Sequence, residues 1–272
     1  MKRPLFCLVI VGLYLAIGGL AASPAHAQAK AKVTRACGVS VLPLSVGNQW
    51  TYEFVPPPPE RQLSDIQARL FPRPAQKVII QVVSVETQDA ITTVTLSEDV
   101  DGRKITSTIS CAKDKFQVSP ESFFFQGEPG GAYNLAFTKL EHKGNTLELA
   151  GGRLAAGPEW RHDIIASWKR SPSEGIQAEL GEGKLEMERR IVVMPKETIT
   201  TTAGEYKNAS HIALEITGRV TAAPVGKATE TKPMEMPAGF VNHIWLADGT
   251  GVVQVLNAFS HMYQLTSVTL TK

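Results

Sequence analysis

Val78 to Leu96 reads VIIQVVSVETQDAITTVTL, and its second half decides the fold class. Ile91 to Leu96 (ITTVTL) is rich in β-branched residues and alternates with period two, the pattern of a strand with one buried and one wet face. Val78 to Val85 (VIIQVVSV) is more continuously apolar and predicts a strand buried on both faces. The same period recurs outward from this stretch, in Ile105, Ser107, Ile109 and again in Ile212, Leu214, Ile216. Turn chemistry falls between the runs: Asp101 and Gly102 signal a tight hairpin. His142–Asn145 and Asp248–Gly251 predict further glycine turns, the second joining Ile244–Leu246 to Val252–Val255. Sequential hairpins build a meander. The expectation is therefore a mainly β protein: a curved antiparallel sheet, an open half-barrel or sandwich-like, with one short helix.

That helix is predicted where Ser64 and Gln67 form a capping box and Leu63, Ile66 and Leu70 share a face before Pro72. Pro56 to Pro59 leads into it as a stiff spacer, so residues 56–74 read as an insertion, either a surface excursion or a lid. Residues 151–158 and 175–183 read as loops, and 224–237 as a polar, mobile link.

The amino terminus reads as a secretory signal peptide over residues 1–27. Lys2 and Arg3 precede an apolar run from Leu5 to Ala22, and Ala25-His26-Ala27 offers the small-x-small site for cleavage after Ala27. A retained membrane anchor is the alternative, because the run is nearly long enough to span a bilayer. Gly18, Gly19 and the small-residue exit favour processing. Cys7 lies inside the run and Cys37 well beyond the cut, which disfavours a lipid anchor. The expected product is one β-rich domain, residues 28–272, periplasmic or extracellular, with no transmembrane segment after processing.

Processing removes two of the 28 basic residues and none of the 26 acidic ones, leaving a formally neutral chain. Without a basic cluster it lacks the footprint of a nucleic-acid binder or of a protein drawn to anionic membrane. Its 43% apolar content suffices for a buried core. Only Cys37 and Cys111 remain after processing, so they form either the single disulfide open to the chain or two buried free thiols.

Catalytic motifs are missing. The chain has no Gly-x-Ser-x-Gly, no His-Glu-x-x-His and no glycine-rich strand-to-helix turn, and Gly181–Gly183 and Gly249–Gly251 read as turns. No catalytic residue, metal ligand or cofactor is assigned. His142, His162, His211, His243 and His261 are dispersed, with no pair at metal-ligand spacing, although distant strands can bring histidines together. Glu98, Asp99 and Asp101 read as a solvated acidic turn or, less simply, as calcium ligands. Phe123, Phe124 and Phe125 cannot all face one side of a strand. They form either an inner strand with an element on each face or the rim of an apolar ligand pocket.

Three islands carry a resemblance. Leu42 to Tyr52 (LPLSVGNQWTY) resembles the P-L-x-x-G-N-x-W-x-Y opening of a group of uncharacterised secreted bacterial proteins. Glu197 to Lys207 resembles that group's E-x-V-x-V-P-A-G-x-F-K segment, with Thr202 in place of Pro. Trp245 to Val253 resembles its W-x-A-x-G-x-G-x-V hairpin. The resemblance implies a curved antiparallel sheet similar to the half-barrels of periplasmic lipoprotein carriers. It implies no activity. The functional expectation is a non-enzymatic exported protein holding an apolar or lipid-like small molecule on that sheet. Its alternatives are an assembly accessory that binds another envelope protein and, last, a hydrolase assembled from distant strands.

Overall fold

The structure, a computed structural model, describes residues 36–37, 39–61, 73–112, 115–119, 122–126, 135–144, 149–150, 153–154, 160–170, 180–224, 232–235 and 240–271. The chain divides between Val33 and Thr34 into two units, and every described residue lies in the second. The export segment 1–27 with its cut after Ala27, the capped helix Ser64–Leu70 and Gly127–Gly131 lie outside the described residues.

A first arm of sequential hairpins comprises β1 (Gln49–Val55), β2 (Lys77–Gln88), β3 (Ile91–Val100), β4 (Arg103–Ala112) and β5 (Lys115–Val118). One helical turn, α1 (Phe123–Gln126), follows. The second arm comprises β6 (Leu135–Gly144), β9 (Trp160–Arg170), β10 (Leu180–Thr201), β11 (Gly204–Pro224), β13 (Phe240–Ala247), β14 (Gly251–Leu256) and β15 (Met262–Thr269). Two short strands, β7 (Leu149–Ala150) and β8 (Arg153–Leu154), pair only with each other among the described residues, and β12 (Lys232–Glu235) adds to β11.

The arms join where β1 pairs antiparallel with β15, Gln49 opposite Thr269. The result is one open antiparallel sheet of order β5-β4-β3-β2-β1-β15-β14-β13-β11-β10-β9-β6. It is not a sandwich. Its two edge strands, β5 and β6, are consecutive in the chain, and the Gln117 side-chain amide on β5 donates to the Gly144 carbonyl on β6 at 3.0 Å. The sheet therefore curls until its edges meet at that point.

Alternation chooses the core face. Trp50 and Tyr52 of β1, Val78, Ile80 and Val82 of β2, Val94 and Leu96 of β3, Ile212 and Leu214 of β11, and Tyr263 and Leu265 of β15 are all fully buried. The double burial expected for Val78–Val85 does not occur. Gln81 faces outward and Val83 is 46% exposed, so β2 has one wet face like its neighbours, with a register shift between Val82 and Ser84.

Asp101 and Gly102 make the expected β3–β4 turn with φ of 49° and 87°, the left-handed pair that a two-residue hairpin demands. Asp89 and Ala90 make the β2–β3 turn in the same way, with φ of 50° and 63°. Of the carboxylates near Gly102, Asp101 is exposed on the turn and Asp99 is half-buried. Asp101 accepts from the Gln76 and Lys77 amides, Asp99 accepts from the Gly102 amide, and Glu98 is buried.

Three further expectations change. His142 to Gly144 continue β6 against β9, Gly181 to Gly183 belong to β10, and the presumed link after Pro224 includes β12, which pairs back onto β11. In each case cross-strand pairing overrides local glycine and proline signals.

The first and third sequence islands form one packing unit. The Trp50 indole donates to the Thr250 carbonyl at 2.6 Å and the Tyr52 hydroxyl to the Val252 carbonyl at 2.8 Å. Gly251, at φ +105°, lies where a Cβ would stand 2.9 Å from the Trp50 Nε1. Asn48 ties the carboxyl-terminal end, accepting from the Thr271 amide and hydroxyl. Cys37 and Cys111 form the disulfide, with Cα atoms 5.6 Å apart, fastening the segment before β1 to β4.

Candidate functional site

Two places concentrate chemistry. The first is the aromatic core beneath α1. Phe123 to Phe125 belong to a helical turn rather than an inner strand, so successive side chains diverge by about 100° instead of alternating. Phe123 and Phe124 are fully buried. The Phe123 ring lies 5.0 Å from Tyr52 and 5.3 Å from Tyr263, and Phe124 meets Trp50 edge-on at 5.3 Å, spacings at which aromatic pairs attract. The Phe125 side chain is outside the described residues.

The turn is pinned from below. Both oxygens of the fully buried Glu98 accept from the Phe123 amide, at 3.2 and 3.1 Å, and one also accepts from the Ser107 hydroxyl at 2.5 Å. A carboxylate in the core requires such donors. Burial, then the Tyr206 hydroxyl, then Glu98 push the Tyr52 phenol well above its usual range, so Tyr52 stays neutral and keeps its proton for Val252.

The second place joins three strands distant in sequence. Register shifts on both sides of Glu197 break the β10–β11 ladder, as bulges do where a side chain must be re-aimed. The Glu197 Oε1 meets His211 Nδ1 at 2.8 Å, and Oε2 accepts from the Trp245 indole at 3.3 Å. The other His211 nitrogen, Nε2, meets His243 Nδ1 at 2.9 Å. His211 stacks on Trp245 with ring centroids 4.4 Å apart and planes inclined by 18°. The His211 side chain is 8% exposed and that of Glu197 47%, so the chain of contacts runs from the interior to solvent.

The carboxylate only accepts, so His211 Nδ1 carries the proton of that contact, and one proton lies between the two rings, on His211 Nε2 or on His243 Nδ1. The two imidazoles cannot both be doubly protonated without breaking their contact, because two N–H groups would face each other.

The remaining sequence candidates are dispersed. His261 packs edge-on against Phe54, and His142 and His162 lie on β6 and β9. A shallow groove around Gly218 holds Glu186 and Glu188, which pair with Lys184 and Arg161. Among the described residues no group of three acidic, histidine or cysteine side chains is disposed to hold a metal ion, and no helix is long and apolar enough to cross a membrane. Sequence reasoning missed the Glu197–His211–His243 chain. The signal was faint: a Glu beside an irregular stretch, and two histidines on separate alternating strands.

No protein-family model matches the chain, and no curated protein matches it. Among solved structures, it is similar to a protein of Bacteroides fragilis inferred to be exported and described as having a YmcC-like fold. The identity is 11% and the TM-score 0.47, over 84% of this chain and 98% of that one. It is also similar to a protein of Parabacteroides distasonis inferred to be a lipoprotein, at 13% identity and TM-score 0.48, over 85% of this chain and 99% of that one.

Proposed function

We propose that this chain is exported by cleavage after Ala27 and acts in the cell envelope as a non-enzymatic binding protein for an apolar, lipid-like molecule. Kinship with the secreted group of the sequence islands belongs to the same proposal. One observation carries the binding reading. The aromatic row Trp50, Tyr52 and Tyr263 on the core face is covered by Phe123 and Phe124, which arrive on a single four-residue helical turn outside the sheet. A cover of that size is a removable one. In this structure the face holds the protein's own rings, so binding requires α1 to leave.

The energetics set a chain length. Exposing two phenylalanines costs about 3–6 kcal/mol, and each buried methylene returns about 0.8 kcal/mol, so chains of roughly eight methylenes or more displace the turn. The test is organic extraction of protein purified from the native host, followed by mass spectrometry. A copurifying acyl lipid is expected, with more of it in Phe124→Ala, whose cover is weaker. Protein beginning at Gln28 by intact mass is expected in the same sample. Absence of extractable lipid from both proteins refutes the binding reading, and retention of residues 1–27 refutes the export reading.

A further inference from the structure

We infer that the molecule that displaces α1 carries a primary ammonium head, which Glu98 and Ser122 receive in place of the Phe123 amide. The inference rests on the lipid reading and adds the chemistry of the head group to it.

Period two puts Glu98 on the same face of β3 as Val94, Leu96 and Val100, all buried. It is thus a carboxylate set into the face that α1 covers. Its donors include the Ser107 hydroxyl of β4 at 2.5 Å and the Phe123 amide, which lies 3.2 and 3.1 Å from its two oxygens. Ser107 belongs to the sheet and stays. The Phe123 amide belongs to the cover and leaves with it. A buried carboxylate that loses a donor is costly, and the nearby Tyr52 hydroxyl does not replace the lost one, because its proton goes to the Val252 carbonyl. A molecule that takes the place of α1 therefore has two tasks. It buries apolar surface against Trp50, Tyr52 and Tyr263, and it returns a donor to Glu98.

The helical turn is itself the template, one N–H facing the carboxylate with the apolar Phe123 and Phe124 rings beside it. Ser122 adds a second polar contact. Its hydroxyl is fully buried and has no hydrogen-bond partner among the described residues. Its amide donates to the Ser119 carbonyl, and Ser119 is bonded to Thr108 of β4 through both its amide and its hydroxyl, so Ser122 is tied to the sheet and need not leave with α1. A primary ammonium suits this pair of acceptors: it brings three N–H donors and no acceptor, and its charge strengthens the bond to Glu98. A carboxylate head brings no donor and sets a second anion beside Glu98, so such a lipid binds by its chain alone, at higher concentration. A quaternary ammonium brings the charge without the N–H.

The test is calorimetric titration of the purified chain at neutral pH with three probes that share a dodecyl chain, each below its micelle concentration: dodecylamine, dodecyltrimethylammonium and dodecanoate. Dodecylamine is expected to bind about 10–100-fold more tightly than either of the others. In Glu98→Gln, which keeps the shape and one acceptor, that advantage should disappear. Equal binding of dodecylamine and dodecyltrimethylammonium by the parent overturns the inference and leaves the lipid reading standing, as does an advantage that survives in Glu98→Gln. Binding of none of the three overturns the lipid reading and this inference with it. Should Glu98→Gln fail to fold, the comparison of dodecylamine with dodecyltrimethylammonium in the parent decides.

Discussion

Replacing Gly251 by Ala should be among the most damaging single-methyl changes available to this chain. Two costs combine. At φ +105° an L residue is strained, worth about 1–3 kcal/mol. The new Cβ also stands 2.9 Å from Trp50 Nε1 and 3.4 Å from Leu42 Cδ1, both residues being fully buried, and overpacking of that kind costs about 1–3 kcal/mol. Relief by moving Trp50 would sacrifice its bond to the Thr250 carbonyl, worth about 1 kcal/mol. The expected loss is about 2–5 kcal/mol, or about 10 °C in Tm for a chain of this size. Gly102→Ala supplies the comparison, because Gly102 has φ +87° with nothing within 4 Å of the added Cβ, leaving only a backbone cost of about 1–2 kcal/mol. Urea denaturation of parent, Gly251→Ala and Gly102→Ala measures both. Equal losses at the two glycines would refute the claim that the first and third sequence islands are one packing unit.

Three other outcomes follow from the same structure. Because the Tyr52 phenol is raised in the fold, the unfolded chain loses this proton first, and stability falls as pH rises above about 10 by up to about 1.4 kcal/mol per pH unit. Tyr52→Phe should flatten that part of the pH–stability curve while losing about 1 kcal/mol for the Val252 bond. The disulfide spans a sequence separation of 74, so Cys37→Ser/Cys111→Ser should lower unfolding free energy by about 4 kcal/mol, and thiol counting of unreduced, denatured protein should find no free thiol among the two. Ala90 holds φ +63° in the β2–β3 turn, so Ala90→Gly should be stabilising by up to about 1 kcal/mol in the same urea assay.

Period-two alternation made the sheet legible, because β3 over Val94–Val100 and β11 over Ile212–Ile216 alternate buried with half-buried positions. The Asp101–Gly102 turn was legible for the same local reason. What escaped depends on contacts between residues far apart in the chain. The β2–β3 turn uses Ala90 in a left-handed conformation, which its residue type does not advertise. A strand's period does not describe Phe123 to Phe125, because tertiary packing holds them in a helical turn that lets two neighbouring rings enter one core. The two nitrogens of His211 and His243 meet only because β11 and β13 pair, with His211 opposite Trp245 and Ala213 opposite His243. Local spacing carries no trace of that register. Glu197 joins them through irregular pairing, which alternation does not encode.

The central claim is that α1 is a displaceable cover over the core face. Amide hydrogen exchange across Phe123–Gln126, with and without submicellar sodium oleate, tests it most directly. The Phe123 amide is bonded to Glu98, so it should be protected in the free chain. Oleate should accelerate exchange at Phe123 while slowing it in the strands that carry Trp50 and Tyr263. Unchanged exchange at Phe123 under saturating oleate would contradict the account and mark Phe123 and Phe124 as permanent core.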